Sequence, residues 1–224
     1  MHGGSWAGGD SRQLPELNSE LAKAGYSIAT INYRLAPKYK YPAPVEDVKT
    51  VLSYLRHHAY SLRIDTSSFV LLGRSAGGQI VISAAYTLND PTIKGVISFY
   101  GPLDMVWGYA NPTNPLVLNS RKVMADYLGG TYSQVPQQYV NSSGTETATP
   151  KAIPTLLIHG ENDPLVSYLH GVRLGKKLDS LGVKHYDIYL PWATHGFDWT
   201  LNGPGGQLST WCVMRFLEQL TAYR

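Results

Sequence analysis

The chain has 224 residues, a length typical of one domain with a sizeable core. Apolar residues make up 43% of it and charged residues 16%, which excludes a disordered chain. The net charge is +3 and the basic residues are scattered, so there is no basic stripe for tracking phosphates and nucleic acid is not an expected partner.

The single cysteine, Cys212, excludes an internal disulfide and a cysteine-based metal site. No apolar run approaches the roughly 20 residues that a membrane-spanning helix needs. No signal peptide is recognisable. We therefore expect no metal and no membrane span, and we favour the cytoplasm while leaving the compartment open.

Segments typical of strands and helices alternate along the chain. In chain order the pattern predicts strand 26–33, helix 44–58, strand 69–73, helix 77–88, strands 95–101 and 154–160, helix 168–182, strand 185–191 and helix 208–220. The last strand alternates cleanly, as a strand near a sheet edge does. This rhythm predicts an α/β fold, with a mostly parallel sheet, helices on both faces and functional sites beyond the carboxyl ends of the strands.

Residues 102–153 interrupt this rhythm. The stretch is rich in Asn, Pro, Ser and Thr, and only one helix, around 120–128, is predicted within it. Because loops of this length in compact domains are usually functional or mobile, we interpret it as an irregular excursion on the substrate side. No linker divides the chain, so residues 1–224 are predicted to form a single domain.

The stretch "FVLLGRSAGGQIV" carries the clearest chemical signal. A buried strand runs into a G-x-S-x-G motif, Gly73 to Gly77, and a helix follows at once. This context predicts a sharp turn that exposes Ser75 as a nucleophile, although a bare motif also fits a plain turn between strand and helix. The sequence does not fit a dinucleotide-binding loop or a phosphate-binding P-loop.

A serine nucleophile needs a general base, and the base needs an orienting acid. His195 follows the last predicted strand, and both Glu161 and Asp163 follow the strand before it. We favour Asp163 because it lies further from its strand end and has more room to reach the histidine. Among the remaining histidines, His159 and His170 are expected to be structural or exposed.

Five segments in this order, "HGGSW", "NYRLAP", "GRSAGG", "GENDPLV" and "THGF", resemble the α/β-hydrolase esterases with an H-G-G-x-W oxyanion signature. That group includes hormone-sensitive-lipase-like carboxylesterases and the feruloyl-esterase-like and kynurenine-formamidase-like groups. The resemblance covers nearly the whole chain and implies an α/β-hydrolase fold without a cofactor. It also implies a catalytic triad and an oxyanion hole formed by backbone N–H groups. The triad would be Ser75, Asp163 and His195, and the oxyanion donors would be Gly4, Ser5 and Ala76.

The resemblance implies a serine carboxylesterase that acts on small esters with short- to medium-chain acyl groups. An aryl formamidase or other amide hydrolase would use the same triad on a different substrate and is the first alternative. The further alternatives are a prolyl-oligopeptidase-type peptidase and a non-catalytic binding protein with the hydrolase fold. Trp6 is expected to pack against the oxyanion loop or to line the pocket. Tyr100, Trp107 and Tyr109 are candidates for an apolar or aromatic pocket wall.

One departure concerns the start of the chain. Members of the group carry a strand that leads directly into the H-G-G loop, between the strands matching 26–33 and 69–73, whereas here only Met1 precedes it. Losing this strand would leave unpaired backbone groups on both neighbours. We expect a fragment or truncated reading frame; the alternatives are a strand supplied by another chain, as in a homo-oligomer, or a rearranged sheet.

Overall fold

A computed structural model describes residues 1–221 of the chain. Its strands are β1 (Phe69–Arg74), β2 (Ile93–Phe99), β3 (Thr155–Gly160) and β4 (His185–Leu190). Its helices are α1 (Pro15–Lys23), α2 (Ala43–His57), α3 (Ala59–Leu62), α4 (Ala76–Thr87), α5 (Met105–Ala110), α6 (Ser120–Leu128), α7 (Pro136–Ser142), α8 (Gly144–Thr147), α9 (Leu169–Ser180) and α10 (Pro204–Thr221).

The four strands form one parallel sheet in the order β1-β2-β3-β4. Gly73 on β1 pairs with Ser98 on β2, and Gly160 on β3 pairs with Leu190 on β4. Because every strand runs in the same direction, all the carboxyl ends lie at one edge of the sheet. The predicted strands at these four positions are confirmed within one to two residues, and β4 lies at an edge as its alternation indicates.

Helices cover both faces of the sheet. Val96 and Leu157 point to the face covered by α4 and α9. Their neighbours Ile97 and Leu156 point to the opposite face, where they pack with residues of α1 and α10. Successive side chains of a strand point to opposite faces of the sheet. A sheet covered by helices on both faces therefore needs apolar residues at consecutive positions of its strands. This arrangement confirms the predicted mostly parallel α/β architecture.

The predicted strand 26–33 is wrong, because the described chain forms no strand there. Residues 27–30 are exposed, and a groove of about 1080 Å³ separates this segment from β1. Among residues 1–221, it is Met1 that pairs with the outer edge of β1: its amino group donates to Leu72 O at 2.6 Å, and its carbonyl accepts from Arg74 N–H at 3.2 Å. A segment rich in β-forming residues becomes a strand only when a neighbouring strand offers backbone hydrogen bonds, and residues 26–33 have no such neighbour among the described residues.

The excursion is more helical than the sequence indicates. The predicted helix around 120–128 is confirmed as α6, but α5, α7 and α8 also lie within residues 102–153. Asp104 caps α5 by accepting a hydrogen bond from Trp107 N–H at 2.9 Å. These extra helices have four to seven residues each, too short for a periodic apolar pattern to reveal them.

We expect Gly73→Ala to lower the free energy of unfolding by about 1–3 kcal/mol or more. A Cβ atom there would lie 2.2 Å from Gly77 O, so β1 and α4 would have to separate. Gly8→Ala is the matched control, because the nearest atom to its added Cβ is 4.0 Å away. Urea denaturation of both variants measures the difference, and equal midpoints would contradict this account of the turn.

Candidate active site

Ser75 lies at the junction of β1 and α4, half-buried, with φ 53° and ψ −122°. A residue with a side chain rarely adopts this positive φ, and such strain persists only where the surroundings enforce it. The N–H of Ser75 donates to Phe99 O on β2 at 2.9 Å, and its carbonyl accepts from Gly78 N–H at 2.8 Å. The strand, turn and helix predicted around the serine are therefore present.

Asp163 and His195 meet at the same edge of the sheet. Asp163 follows β3, His195 follows β4, and His195 Nδ1 lies 2.6 Å from Asp163 Oδ2. The other carboxylate oxygen of Asp163 accepts from the N–H groups of Leu165 at 2.8 Å and Val166 at 2.9 Å. The side chain of Asp163 is fully buried, whereas that of His195 is 16% exposed. Of the two acids considered from sequence, Asp163 contacts the histidine.

A second histidine, His159, also contacts the Asp163 carboxylate, and sequence reasoning missed it. His159 Nε2 lies 2.9 Å from Val166 O and 3.2 Å from Asp163 Oδ2. Since a carbonyl oxygen only accepts, this nitrogen carries a proton and donates. Burial alone raises the pKa of Asp163, but hydrogen bonds from His159 and His195 outweigh it and hold that pKa well below its usual range. Asp163 is therefore a carboxylate at neutral pH.

Ser75, Asp163 and His195 border a common cavity of about 310 Å³. Ser5 and Ala76 also line it. Residues from the stretch after α5, among them Asn111, Thr113 and Asn114, also line the cavity. The larger groove beside β1 also reaches Ser75 and His195, but Asp163 and Ala76 border only the smaller cavity. The smaller cavity therefore combines the predicted catalytic groups with two of the three predicted oxyanion donors, whereas Gly4 borders only the larger groove.

The N-terminal loop presses directly against Ser75. A Cβ atom on Gly3 would lie 3.0 Å from Ser75 Cβ, and Gly4 has φ 115°, a conformation that favours glycine. Within residues 1–221, nothing accepts a hydrogen bond from the N–H of Gly4, Ser5 or Ala76. Three backbone donors near Ser75 are thus free to bind a negatively charged oxygen.

The four aromatic residues singled out from sequence divide into two groups. Trp6 lines the cavity, and its indole N–H donates to Gln79 at 3.0 Å. Tyr100 is 2% exposed and lies against His195, with ring centroids 4.4 Å apart; it borders the larger groove but not the 310 Å³ cavity. Trp107 and Tyr109 do not line the 310 Å³ cavity, which corrects the expected aromatic wall.

The orientation of α5 explains that correction. Gly108 is the α5 residue that faces the cavity. Trp107 instead packs on His170, with ring centroids 5.0 Å apart, and Tyr109 packs on Tyr139 at 5.1 Å. Neither of these two aromatic rings therefore borders the cavity, whose lining remains mainly apolar.

The described residues also give information on metal-binding clusters and on membrane-spanning helices. They contain no cluster of three or more His, Cys, Asp or Glu side chains suited to a metal ion. None of the helices between residues 1 and 221 combines the length and apolar character needed to cross a bilayer.

Comparison with known families identifies the chain's relatives. A model of the BD-FAE family matches residues 1–178. The chain belongs to the BD-FAE family. The match includes Ser75 and Asp163 and ends before His195. Since it spans most of the chain, it supports an α/β-hydrolase interpretation of the parallel sheet.

Relatives of this BD-FAE member are named as ester hydrolases. LipM of Mycobacterium tuberculosis, named as a carboxylic ester hydrolase, is 29% identical over 210 residues, covering 88% of this chain and 48% of LipM. Esterase LipC of the same organism is 27% identical over 238 residues, covering 97% of this chain and 57% of LipC. The chain therefore spans about half the length of these two relatives.

A solved structure supports the fold. A bacterial heroin esterase superposes with a TM-score of 0.83 at 24% identity, covering 98% of this chain and 73% of the other. At this identity the likeness establishes the fold, which is that of the α/β-hydrolase esterases.

Replacing His159 should destabilise the protein. His159→Phe removes the donor to Asp163 and Val166, and we expect the free energy of unfolding to fall by about 1.5–3 kcal/mol, the range for hydrogen bonds to charged groups. His57→Phe, at an exposed position at the end of α2, should change it by less than about 0.5 kcal/mol. Urea denaturation at pH 7 checks both values, and equal stability of the two variants would refute the role of His159.

His170 should make stability depend on pH. Burial lowers its pKa to about 3, so it is neutral in the folded state and charged in the unfolded state between pH 3 and about 6.5. The unfolded state then binds more protons, and stability falls as pH falls through this window. From pH 7 to pH 5 the loss from His170 should be about 2 kcal/mol.

The measurement compares denaturation curves of the wild type and His170→Gln at pH 7, 6 and 5. The buried amino group of Met1, whose pKa is lowered to about 5, adds a slope common to both proteins. Hence the difference between the two slopes reports His170 alone. Parallel slopes would show that His170 does not titrate in this way.

Proposed function

We propose that this domain hydrolyses carboxylic esters, with Ser75 as nucleophile, His195 as general base and Asp163 as the acid that orients it. One observation carries the proposal: the 2.6 Å contact between His195 and Asp163 borders the same cavity as the strained Ser75 turn. Membership of the BD-FAE family and the ester hydrolases among the relatives support the reaction type.

The hydrogen bond to Asp163 sets the proton position on His195. An ionised carboxylate only accepts, so Nδ1 of His195 carries the proton and donates to it. Nε2 is then the unprotonated nitrogen and accepts the hydroxyl proton of Ser75 as Oγ attacks the ester carbonyl. The buried carboxylate stabilises the imidazolium that results.

Negative charge then develops on the former carbonyl oxygen. The uncommitted N–H groups of Gly4, Ser5 and Ala76 supply hydrogen bonds to it, and the positive end of α4 adds to their effect. Collapse of the tetrahedral intermediate breaks the ester C–O bond, and His195 gives its proton to the leaving alcohol. Water, deprotonated by His195, hydrolyses the acyl-enzyme and restores the Ser75 hydroxyl.

The cavity size supports small substrates. Its volume of about 310 Å³ lies at the lower end of the range for small-molecule pockets, about 300–1,000 Å³. Short- to medium-chain acyl esters of small alcohols fit this space, and its mainly apolar lining suits an acyl chain.

Hydrolysis of nitrophenyl acetate and butyrate tests the proposal. We expect the full chain to turn both over and Ser75→Ala to lower kcat by about 10⁴–10⁶-fold, as removal of a triad serine does. Ser61→Ala, on the exposed surface of α3, is the control and should retain wild-type kcat. Wild-type activity in Ser75→Ala, or binding without turnover by the wild type, would overturn the proposal.

A further inference from the structure

A second buried carboxylate, Asp198, lies close to the proposed catalytic groups and has no part in the mechanism above. Its residue is 7% exposed, and both of its oxygens are occupied. Oδ2 accepts from Arg74 Nε at 2.5 Å, and Oδ1 accepts from the hydroxyl of Tyr100 at 2.6 Å. A buried charge with two donors is satisfied, so Asp198 binds both partners firmly.

The partners of Asp198 sit next to the proposed nucleophile and base. Arg74 immediately precedes Ser75, and Asp198 follows His195 by three residues. The ion pair between them is almost fully buried, with side chains 10% and 3% exposed. This ion pair therefore links the loop that contains His195 to the turn that contains Ser75.

Tyr100 extends this link to the histidine ring. Its ring lies against His195 with centroids 4.4 Å apart, tilted by 56°. Its backbone has φ 39°, and its N–H donates to Ile158 O on β3 at 2.8 Å. Burial and the neighbouring Asp198 raise the pKa of Tyr100 well above its ordinary value, so the phenol stays protonated and donates.

We infer that Asp198 is a positioning residue for the hydrolysis proposed above, holding His195 over Ser75 through Arg74 and Tyr100. The inference rests on the proposed function. Arg74 fixes the distance between the two loops, and the Tyr100 hydroxyl fixes the ring that supports the imidazole face. Because misplacing a catalytic group by about 1 Å can cost roughly 100-fold in rate, such contacts influence kcat without touching substrate.

Single-atom removal from Tyr100 is the mildest test. Tyr100→Phe keeps the ring beneath His195 and removes only the donor to Asp198. We expect kcat for nitrophenyl butyrate to fall roughly 10-fold with KM within about twofold of wild type. Tyr86→Phe is the matched control, since its buried hydroxyl hydrogen-bonds Thr155 at 2.8 Å outside the cavity and should leave kcat unchanged.

Asp198→Asn removes the charge and should lower kcat by about 100-fold, again with little change in KM. This variant leaves the buried Arg74 charge without a counter-charge, which destabilises the fold. A second variant, Arg74→Met combined with Asp198→Met, removes both charges together. That double variant should retain the wild-type circular dichroism spectrum and still show the kcat loss. The rate at which a fluorophosphonate modifies Ser75, followed by mass spectrometry, is a second readout. We expect this rate to be lower in the variants than in the wild type.

The outcomes separate the two proposals. Absence of Ser75-dependent hydrolysis in the wild type would refute the proposed function. Hydrolysis that depends on Ser75, combined with wild-type kcat in Tyr100→Phe and in the folded double variant, would overturn the role of Asp198 alone. Activity losses that only follow the folded fraction would do the same, because they indicate a purely structural ion pair.

Discussion

The close approach of α4 to β1 and β2 is the constraint on which the site depends. A Cβ atom on Gly73 would lie 2.2 Å from Gly77 O, and one on Gly78 would lie 2.5 Å from Ser98 Oγ. With no side chains at these positions, the strand can enter the helix within a single residue, which forces Ser75 to φ 53°. That turn fixes Ser75 at the carboxyl edge of the sheet, and the other groups of the candidate site are arranged around it.

Two buried carboxylates complete that arrangement from the other strands. Asp163 accepts from two histidines and two backbone N–H groups, and Asp198 accepts from Arg74 and Tyr100. An uncompensated charge is costly in a protein interior, so each set of donors is tied to its carboxylate. The two anions therefore hold the loops that follow β3 and β4, and His195 lies on the second of these.

The parts of the fold that were predictable depend on local pattern. Short apolar runs identify β1 and β3, and the rule that parallel strands end at one edge places Asp163 and His195 together. Residues 26–33 show where prediction from local pattern fails: their composition favours a strand, but a strand also needs a neighbour to pair with. The lining of the cavity was unpredictable for a related reason: tertiary packing decides that Gly108, and not its aromatic neighbours, faces it. The contact of His159 likewise depends on how the loop through Val166 folds back.

Preorganisation of the proposed oxyanion donors requires that two distant parts of the chain keep a fixed separation, because donors that must rearrange lose their effect. Gln79 meets this requirement. It lies on α4 four residues after Ser75, is 1% exposed, and accepts from the indole N–H of Trp6 at 3.0 Å. Its own amide donates to Ser142 O at 2.9 Å, and Trp6 also stacks on Tyr127 at 4.5 Å. The N-terminal loop, α4 and residues 102–153 are thus joined through one buried amide, which holds the proposed donors on either side of Ser75 at a fixed separation.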